Sequence, residues 1–281
     1  MAKVLRLEWF RLRKRLATWV VYVTFLTLTA FLFGVSFYSR QPHHHGPYLG
    51  FPNAWEIVLT VGAPVASIFG AVLVALTVSS EFEWKTTRQN IIDGLSKQDW
   101  FLGKLALIPA VCVALYGTQV IFGTVWAYLD TYPPHRLFYY PAATYVTAAL
   151  GVLLGMFWYS AVALLISVMV RSSGAAIGLT LIYQVFDNIV AGTLRGYHFD
   201  HIAAWLPFQV HNSLLQFNQY WPQPSPTLED HWATGDLLLA GVLWATLFTV
   251  AARSIYQRPR PRSRSRANPR GRARLSPRAA A

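Results

Sequence analysis

The sequence predicts an all-α, polytopic membrane protein with six transmembrane helices. Hydrophobic residues make up 54% of the 281 positions and charged residues only 13%, whereas a soluble domain carries about 25% charged residues. Six windows have the length and composition of membrane-crossing helices, which need roughly 20 predominantly apolar residues. The basic residues are also distributed unevenly among the loops that join these windows. These three observations together support the predicted fold class.

Five of the six windows contain no Asp, Glu, Lys or Arg. The remaining window, the fifth in chain order, contains one charged residue, Asp187. In chain order the windows are residues 17–39, 57–80, 105–129, 137–170, 172–194 and 237–252. The first is longer than the apolar core of a signal peptide, so we interpret it as a retained span. The sixth is short, but Ile255 and Tyr256 extend it while the charged end of Arg253 reaches the interface.

A further uncharged window, residues 202–228, is predicted not to cross the membrane. It carries the polar side chains of Gln209, His211 and Asn212, and its last part contains three prolines. In lipid, every backbone polar group must be satisfied within the protein. We therefore expect an amphipathic or re-entrant segment at the membrane surface.

The distribution of basic residues predicts that both termini are cytoplasmic. With the N-terminus inside, all but three of the 24 Lys and Arg residues fall in the N-terminal segment, in the loops after the second and fourth spans, and in the C-terminal tail. The exceptions are Arg40, Arg136 and Arg195. Cytoplasmic loops carry an excess of Lys and Arg, and a seventh span would move the Arg-rich tail outside. We therefore expect a multi-pass protein of the cell membrane (plasma or inner membrane).

The two ends of the chain have different predicted roles. Residues 5–16 mix basic and apolar side chains and predict an amphipathic helix at the membrane interface, which anionic lipids would attract. Residues 257–281 are rich in Arg, Pro and Ser, so we expect a disordered cytoplasmic tail. The tail lacks aromatic residues for base stacking, which favours anionic lipid over nucleic acid as its partner. The transmembrane domain is accordingly predicted to span residues 1–256.

The segment SSEFEWKTTRQNIIDGLSKQDWFLGK, residues 79–104, is the only sizeable internal loop that this topology predicts. Four acidic and four basic residues lie here between two apolar windows. Two interpretations are open on composition alone. The loop is either a contact surface for another molecule or a solvated connector that obeys the positive-inside rule.

The residues of this loop resemble the loop between the second and third helices of ABC-2 type transporter permeases. The matching pattern is Glu81-x-x-Trp84-x-Thr86-x-Arg88, then Gly94-x-Ser96-Lys97, then Phe101-Leu102-Gly103-Lys104. The basic segment LEWFRLRKR at residues 7–15 is similar to the entry helix of that family. The sequence departs from the family pattern at Lys85, where the family usually has glycine.

The resemblance implies a permease subunit of an ATP-driven exporter. Such a subunit pairs with a second permease, identical or homologous, and with two separate ATP-binding cassette subunits. The loop between spans two and three would be a cytoplasmic coupling helix that sits in a cleft of the ATPase. The residues assigned to this contact are Glu81, Glu83, Trp84, Thr86, Arg88, Gly94, Lys97 and Lys104.

The side chains of the loop suit such a contact. An apolar docking face is available from Trp84, Ile91, Ile92, Leu95 and Phe101. Acidic side chains could pair with basic partner residues at its rim, where charges set orientation more than affinity. These acidic residues are Glu81, Glu83, Asp93 and Asp99.

The chain itself carries no G-x-x-x-x-G-K-[ST] phosphate-binding loop. Gly103-Lys104 is preceded by Gln98 where that loop requires glycine, and it is followed by Leu105. We therefore expect neither enzymatic activity nor a bound cofactor in this chain. ATP and Mg²⁺ are expected in the partner ATPase.

Polar residues inside the fifth window form a candidate substrate path: Gln184, Asp187 and Asn188. An ionisable residue within a span is a functional candidate by default, and it could line a path or pair across a permease dimer. The alternative is that the span ends near Phe186 and Asp187 meets water.

Histidines in the predicted outer loops support a different hypothesis, a membrane-embedded metal-dependent enzyme with an outer-face His/Asp site. The richest cluster is His198, Asp200 and His201, and a His triplet occupies residues 43–45. Adjacent residues rarely converge on one ion, and no Cys completes either set, so we predict no metal site. A non-transporting membrane anchor or assembly subunit is the other alternative.

Overall fold

The computed structural model describes residues 2–38, 55, 58–59, 62–92, 94, 96–131, 142–215 and 234–257. Over these residues the chain is helical and contains no strand. The helices are α1 (Ala2–Lys14), α2 (Leu16–Tyr38), α3 (Ala63–Glu83), α4 (Thr86–Ile92), α5 (Lys97–Thr131), α6 (Ala142–Val170), α7 (Ser173–Gly196), α8 (Asp200–Ala204), α9 (Pro207–Leu215) and α10 (Thr234–Gln257).

Six of these helices are long and apolar enough to cross a membrane, which confirms the predicted number of spans. They are α2, α3, α5, α6, α7 and α10. Helices α3 and α6 form the centre of the bundle, because 61% and 67% of their most apolar windows are buried inside the protein. The other four present broad apolar faces to the outside, as expected of a multi-pass membrane protein in contact with lipid.

The starts of α3 and α5 differ most from their apolar windows, for local reasons. Helix α3 begins after Gly62, six residues later than its window, and has a proline in its first turn, where proline is well tolerated. Helix α5 begins at Lys97, eight residues before its window. There the Ser96 hydroxyl accepts the Asp99 backbone N–H at 3.0 Å and donates to the Asp99 carboxylate at 2.6 Å. This reciprocal pair resembles a capping box and starts a helix of 35 residues.

The short link between α6 and α7 is a tight turn at Arg171. The φ angle of this residue is 61°, in the left-handed region that usually ends a helix. Its backbone N–H donates to the Ser167 carbonyl at 2.9 Å, and its guanidinium lies 5.3 Å from the centre of the Phe82 ring on α3. The end of α3 therefore contacts the turn that starts the fifth span.

Both ends of the described chain meet at the same end of the bundle. Glu8 on α1 binds Lys104 near the start of α5, and Tyr256 near the end of α10 stacks on Trp100, with ring centres 4.6 Å apart. We call this side of the bundle the Glu81 end, after the residue at its centre. The tail predicted to be disordered lies beyond α10, outside the described residues.

The window at 202–228 contains two short helices, α8 and α9, and its later part lies outside the described residues. Helix α9 packs against α3, α6, α7 and α10, and Phe208, Val210, His211 and Leu214 are all buried. Helix α9 is not one of the six helices that are long and apolar enough to cross a membrane, as predicted. Its polar residues nevertheless lie within the bundle.

Candidate functional site

The Glu81 end of the bundle contains a cluster of five charged residues that we call the ion-pair cluster: Glu8, Arg11, Arg15, Glu81 and Lys104. Glu8, Glu81 and Lys104 are buried, whereas Arg11 and Arg15 are partly exposed. The Lys104 ammonium donates to Glu81 Oε1 at 2.6 Å and to Glu8 Oε2. Arg11 lies 3.6 Å from both carboxylates, and Arg15 lies 3.9 Å from Glu81. Two carboxylates thus face three bases, as the interior requires of buried charges.

Neighbouring side chains hold this cluster in place. The Trp100 indole N–H donates to Glu81 Oε2 at 2.7 Å, so both oxygens of that carboxylate are bonded. Arg15 also donates to the Ser80 hydroxyl at 2.6 Å. Through these bonds the cluster joins α1, the start of α2, the end of α3 and the start of α5.

Helix α1 directs a charged stripe toward the bundle. Glu8, Arg11 and Leu12 follow the spacing of one helical face; Glu8 and Leu12 are buried, and Arg11 is partly buried. Arg15, directly after the helix, also lies beside Glu81. The aromatic side chains of Trp9 and Phe10 are exposed instead, together with basic residues of the same helix. An interfacial helix was predicted, and the exposed aromatic and basic side chains suit an interface. The inward charged stripe was not predicted.

Two residues that were expected at the exposed coupling contact, Glu81 and Lys104, are instead buried inside the bundle. Each is only 1% exposed, and each is bonded within the chain. The expected pairing of Glu81 with a basic residue of a partner at an exposed rim therefore has to be corrected, because its charge is already satisfied. Phe101, expected on the docking face, is likewise buried.

Glu83 is exposed but engaged at the start of the fifth span. Its carboxylate accepts the Ser173 backbone N–H at 2.6 Å and the Ser173 hydroxyl at 2.8 Å. The first N–H groups of a helix have no intrahelical partner, and the residue that precedes α7, Ser172, makes no side-chain cap hydrogen bond. Glu83 on α3 therefore caps α7 from a neighbouring helix.

The turn between α3 and α4 projects an apolar side chain away from the bundle. Trp84 is 79% exposed, and the Thr86 hydroxyl donates to the Glu81 carbonyl at 3.3 Å. Lys85 has a φ of 57°, which costs a residue with a side chain roughly 1–2 kcal/mol. The backbone here thus takes the conformation that glycine favours, at the position where ABC-2 permeases usually have glycine.

The rest of the segment continues this exposed surface. Ile92 at the end of α4 is 70% exposed, Ile91 is partly buried, and Lys97 is exposed. Gly94 has a φ of 96°, so a residue with a side chain would be strained there. The side chains of Arg88, Asp93 and Leu95 lie outside what the structure describes. We call residues 84–92, which comprise the turn after α3 and helix α4, the exposed turn, after its exposed residues Trp84 and Ile92.

Two of the candidate path residues on α7 meet α9 in a group that we call the α7–α9 polar cluster: Asp187, Asn188, Arg195 and Gln209. The Gln209 amide nitrogen donates to Asn188 Oδ1 at 2.9 Å, and Arg195 donates to Gln209 Oε1 at 3.0 Å. The Asp187 carboxylate accepts hydrogen bonds from the Phe208 backbone amide and from Gln209.

Asp187 is buried and does not meet water, contrary to the alternative that the sequence left open. Its Oδ2 atom has no hydrogen-bond partner among the described residues. Gln184 turns to α6, where its side-chain oxygen lies 3.4 Å from the donating Tyr159 hydroxyl. The three candidate path residues therefore contact neighbouring helices.

His211 occupies the centre of this region, and the sequence analysis assigned it no role. Nδ1 lies 2.9 Å from the Gly155 carbonyl, and Nε2 lies 3.3 Å from the Ser67 hydroxyl. Rings of Trp158, Tyr159 and Phe208 surround it, with centres 5.1–5.2 Å away. An uncharged window dense in polar side chains was the available signal, but its burial depends on aromatic residues of α6 about 50 positions earlier.

The histidine-rich loop gives no support for a metal centre. No group of three His, Cys, Asp or Glu side chains converges among the residues that the structure describes. His198, Asp200 and His201 are exposed, and the triplet at residues 43–45 lies outside the described ranges.

A protein family described as "Protein of unknown function (DUF2705)" matches residues 17–220, which is well over half of the 281 positions. The chain belongs to the DUF2705 family. No curated protein matches this DUF2705 protein. The matched range includes the exposed turn and the α7–α9 polar cluster, whereas Glu8, Arg11 and Arg15 precede it.

Proposed function

We propose that this DUF2705 protein is a permease subunit of an ABC-2 type exporter. It would move substrate across the cell membrane by coupling to separate ATP-binding subunits, together with a second permease chain. The observation that carries the proposal is the exposed turn. It presents Trp84 and Ile92 outward, while Glu81 and Glu83 on its α3 side are bonded to other helices.

The proposed orientation of the protein in the membrane is the one that the basic residues of the sequence predict. The Glu81 end would face the cytoplasm, with α1, the exposed turn and the C-terminal tail on that side. The concentration of basic residues in these segments supports this orientation. Anionic lipids of the inner leaflet would contact the exposed basic residues of α1.

The bonds around the turn supply a physical route for coupling. A displacement of α4 reaches α5 and α1 through Glu81 and Lys104. It reaches the start of α2 through Arg15 and Ser80, and it reaches α7 through Glu83. ATP-driven movement of the partner can thus tilt several spans together, provided that its two states bind the turn differently.

The proposed substrate path consists of Gln184, Asp187 and Asn188, and movement of α9 would uncover its buried member, Asp187. In the structure Asn188 and Asp187 bind residues of α9. Opening between α7 and α9 would free both side chains at once. The ATP-binding partner would thus act at the Glu81 end, and the substrate path would open at the contact between α7 and α9.

The proposal predicts that the double substitution Trp84→Ala/Ile92→Ala abolishes partner binding and leaves membrane insertion intact. Apolar anchors at the centre of an interface typically carry 2 kcal/mol or more, so we expect recovery of the ATP-binding subunit to fall at least about tenfold. The measurement is affinity copurification of the tagged full-length chain from membranes, scored by a partner that carries a phosphate-binding loop.

The matched control is Trp19→Ala/Ile182→Ala, which removes the same two side-chain types from exposed positions on α2 and α7. Its recovery of the ATP-binding subunit should equal that of the unsubstituted chain. Equal recovery with both double variants would show that the exposed turn is not the docking contact.

A further inference from the structure

Helix α9 is a short helix that carries both polar and apolar side chains into an apolar bundle. Its buried residues include three apolar side chains, Phe208, Val210 and Leu214, and the imidazole of His211. Its first turn is held by the Asp187 carboxylate and by Asn188 on α7. Its centre is held by the hydrogen bonds of His211.

The hydrogen bonds of His211 define one neutral tautomer. A carbonyl oxygen only accepts, so Nδ1 carries the proton that is donated to Gly155. Nε2 is then the acceptor, and the Ser67 hydroxyl donates to it. The imidazole thus connects α9 to both central helices, α3 and α6, in its uncharged form.

A second proton on this ring would be costly in the docked position. Burial lowers the pKa of His211 to about 3, because three aromatic rings surround it. No carboxylate among the described residues forms an ion pair with it.

The charged and titratable groups on the helices that pack against α9 do not offset the cost of a charged imidazole at His211. Helix α6 presents Tyr159, which is neutral in acid, and α3 presents the uncharged Ser67. Helix α7 presents Asp187 and Arg195, which contact Phe208 and Gln209. Helix α10 presents apolar residues such as Gly241 to α9, close to Leu214. Helix α8, which also packs against α9, carries Asp200 and His201, and both side chains are exposed.

We propose that α9 is an acid-sensitive latch, which stays docked while His211 is neutral and is released when the exposed imidazole takes up a proton. Once α9 leaves its site, the ring is hydrated and its pKa returns to the ordinary value of about 6.5. The proton then binds only the released form, so docking weakens as pH falls through that value. Release also uncovers Asp187.

The size of the effect follows from the two protonation states. Between pH 7.5 and pH 5.5 the protonated share of a released imidazole rises from about one tenth to about nine tenths. The equilibrium between released and docked α9 therefore shifts about tenfold toward release. The shift requires no ATPase, so its failure would leave the permease proposal untouched.

The test uses thiol accessibility, since Cys112 is the only cysteine and is buried. In a Cys112→Ala background, Val210→Cys reports on release, because Val210 is fully buried in docked α9. Ile202→Cys on α8, an exposed position, corrects for the pH dependence of the thiol reaction. Both full-length chains are labelled with a maleimide in detergent micelles at pH 7.5 and pH 5.5.

The expected result is that the labelling rate at Val210→Cys, divided by that at Ile202→Cys, rises about tenfold at the lower pH. With His211→Asn, which keeps a donor toward Gly155 but does not titrate, the ratio should be independent of pH. His211→Phe serves the same purpose if the Asn variant does not fold, and Asp187→Asn should keep the pH response.

The latch would be overturned if the labelling ratio stayed constant between the two pH values with His211 present. It would also be overturned if the ratio rose equally in His211→Asn or His211→Phe, or if position 210 were not labelled at either pH. An equal rise in those variants would assign the pH response to another group.

Discussion

Lys104 is the residue on which the Glu81 end depends most directly. Its ammonium binds Glu8 and Glu81, and all three side chains are almost fully buried. A buried ion pair adds little stability over apolar residues of similar volume, but removal of one partner leaves an uncompensated charge. The cluster is therefore better described as fixing the positions of α1, α3 and α5 than as a source of stability.

We expect Lys104→Met to destabilise the protein by roughly 3–5 kcal/mol, because two buried carboxylates lose their shared partner. Adding Glu81→Gln to Lys104→Met should restore part of that loss, since one unpaired charge is removed. Thermal unfolding of the detergent-purified variants, followed by size-exclusion chromatography, measures both effects. Additive losses in the double variant would mean that the two residues are not coupled.

Lys85 shows how the backbone can keep a turn that its side chain does not favour. The ABC-2 permease pattern that this loop resembles has glycine at this position. The left-handed φ of 57° shows that a lysine adopts the glycine-type conformation here. Exposure of the neighbouring Trp84 depends on this turn, because it ends α3 and redirects the chain into α4.

At the level of helices, α3 acts as the connecting element of the Glu81 end. Its last turn reaches α1 and α5 through Glu81, the α6–α7 turn through Phe82, and α7 through Glu83. Helix α6 has a comparable role farther along the bundle, where Gly155, Trp158 and Tyr159 hold His211 of α9. These two helices are also the most buried of the six spans.

The cap that α3 supplies to α7 gives a prediction at this scale. Glu83→Ala should loosen the first turn of α7, because the Ser173 N–H, which has no partner within its own helix, loses the Glu83 carboxylate that accepts it. Amide hydrogen exchange at residues 173–176 should accelerate, while exchange in the middle of α7 stays unchanged. Glu83→Gln, which keeps an acceptor oxygen, is the matched control and should show a smaller increase. Unchanged exchange in Glu83→Ala would contradict the assigned cap.

At the level of the whole molecule, hydropathy alone was sufficient for the number and order of the spans. A membrane helix requires a long apolar window, and the structure has six helices that meet this requirement. The sequence also pointed to the segment between α3 and α5 as unusual, and the exposed Trp84 and Ile92 lie there.

The inward charges of α1 could not be predicted in the same way. Periodicity locates a charged stripe on a helix, but whether it faces lipid, water or another helix depends on the partner across the interface. Glu8 is buried because Lys104, 96 positions later, meets it. His211 is buried because Trp158 and Tyr159 enclose it. Such long-range pairings leave no local signal in the sequence.

Photo-crosslinking from position 84 decides whether the exposed turn binds an ATP-binding protein made from another chain, as we propose. A photoreactive amino acid replaces Trp84 in the full-length protein, and the same amino acid at Ile182 on the exposed face of α7 is the control. If the proposed contact exists, irradiated cells yield an adduct from position 84, absent from position 182, to a chain with a G-x-x-x-x-G-K-[ST] motif. An adduct from position 84 only to lipid, or to proteins without that motif, would contradict it.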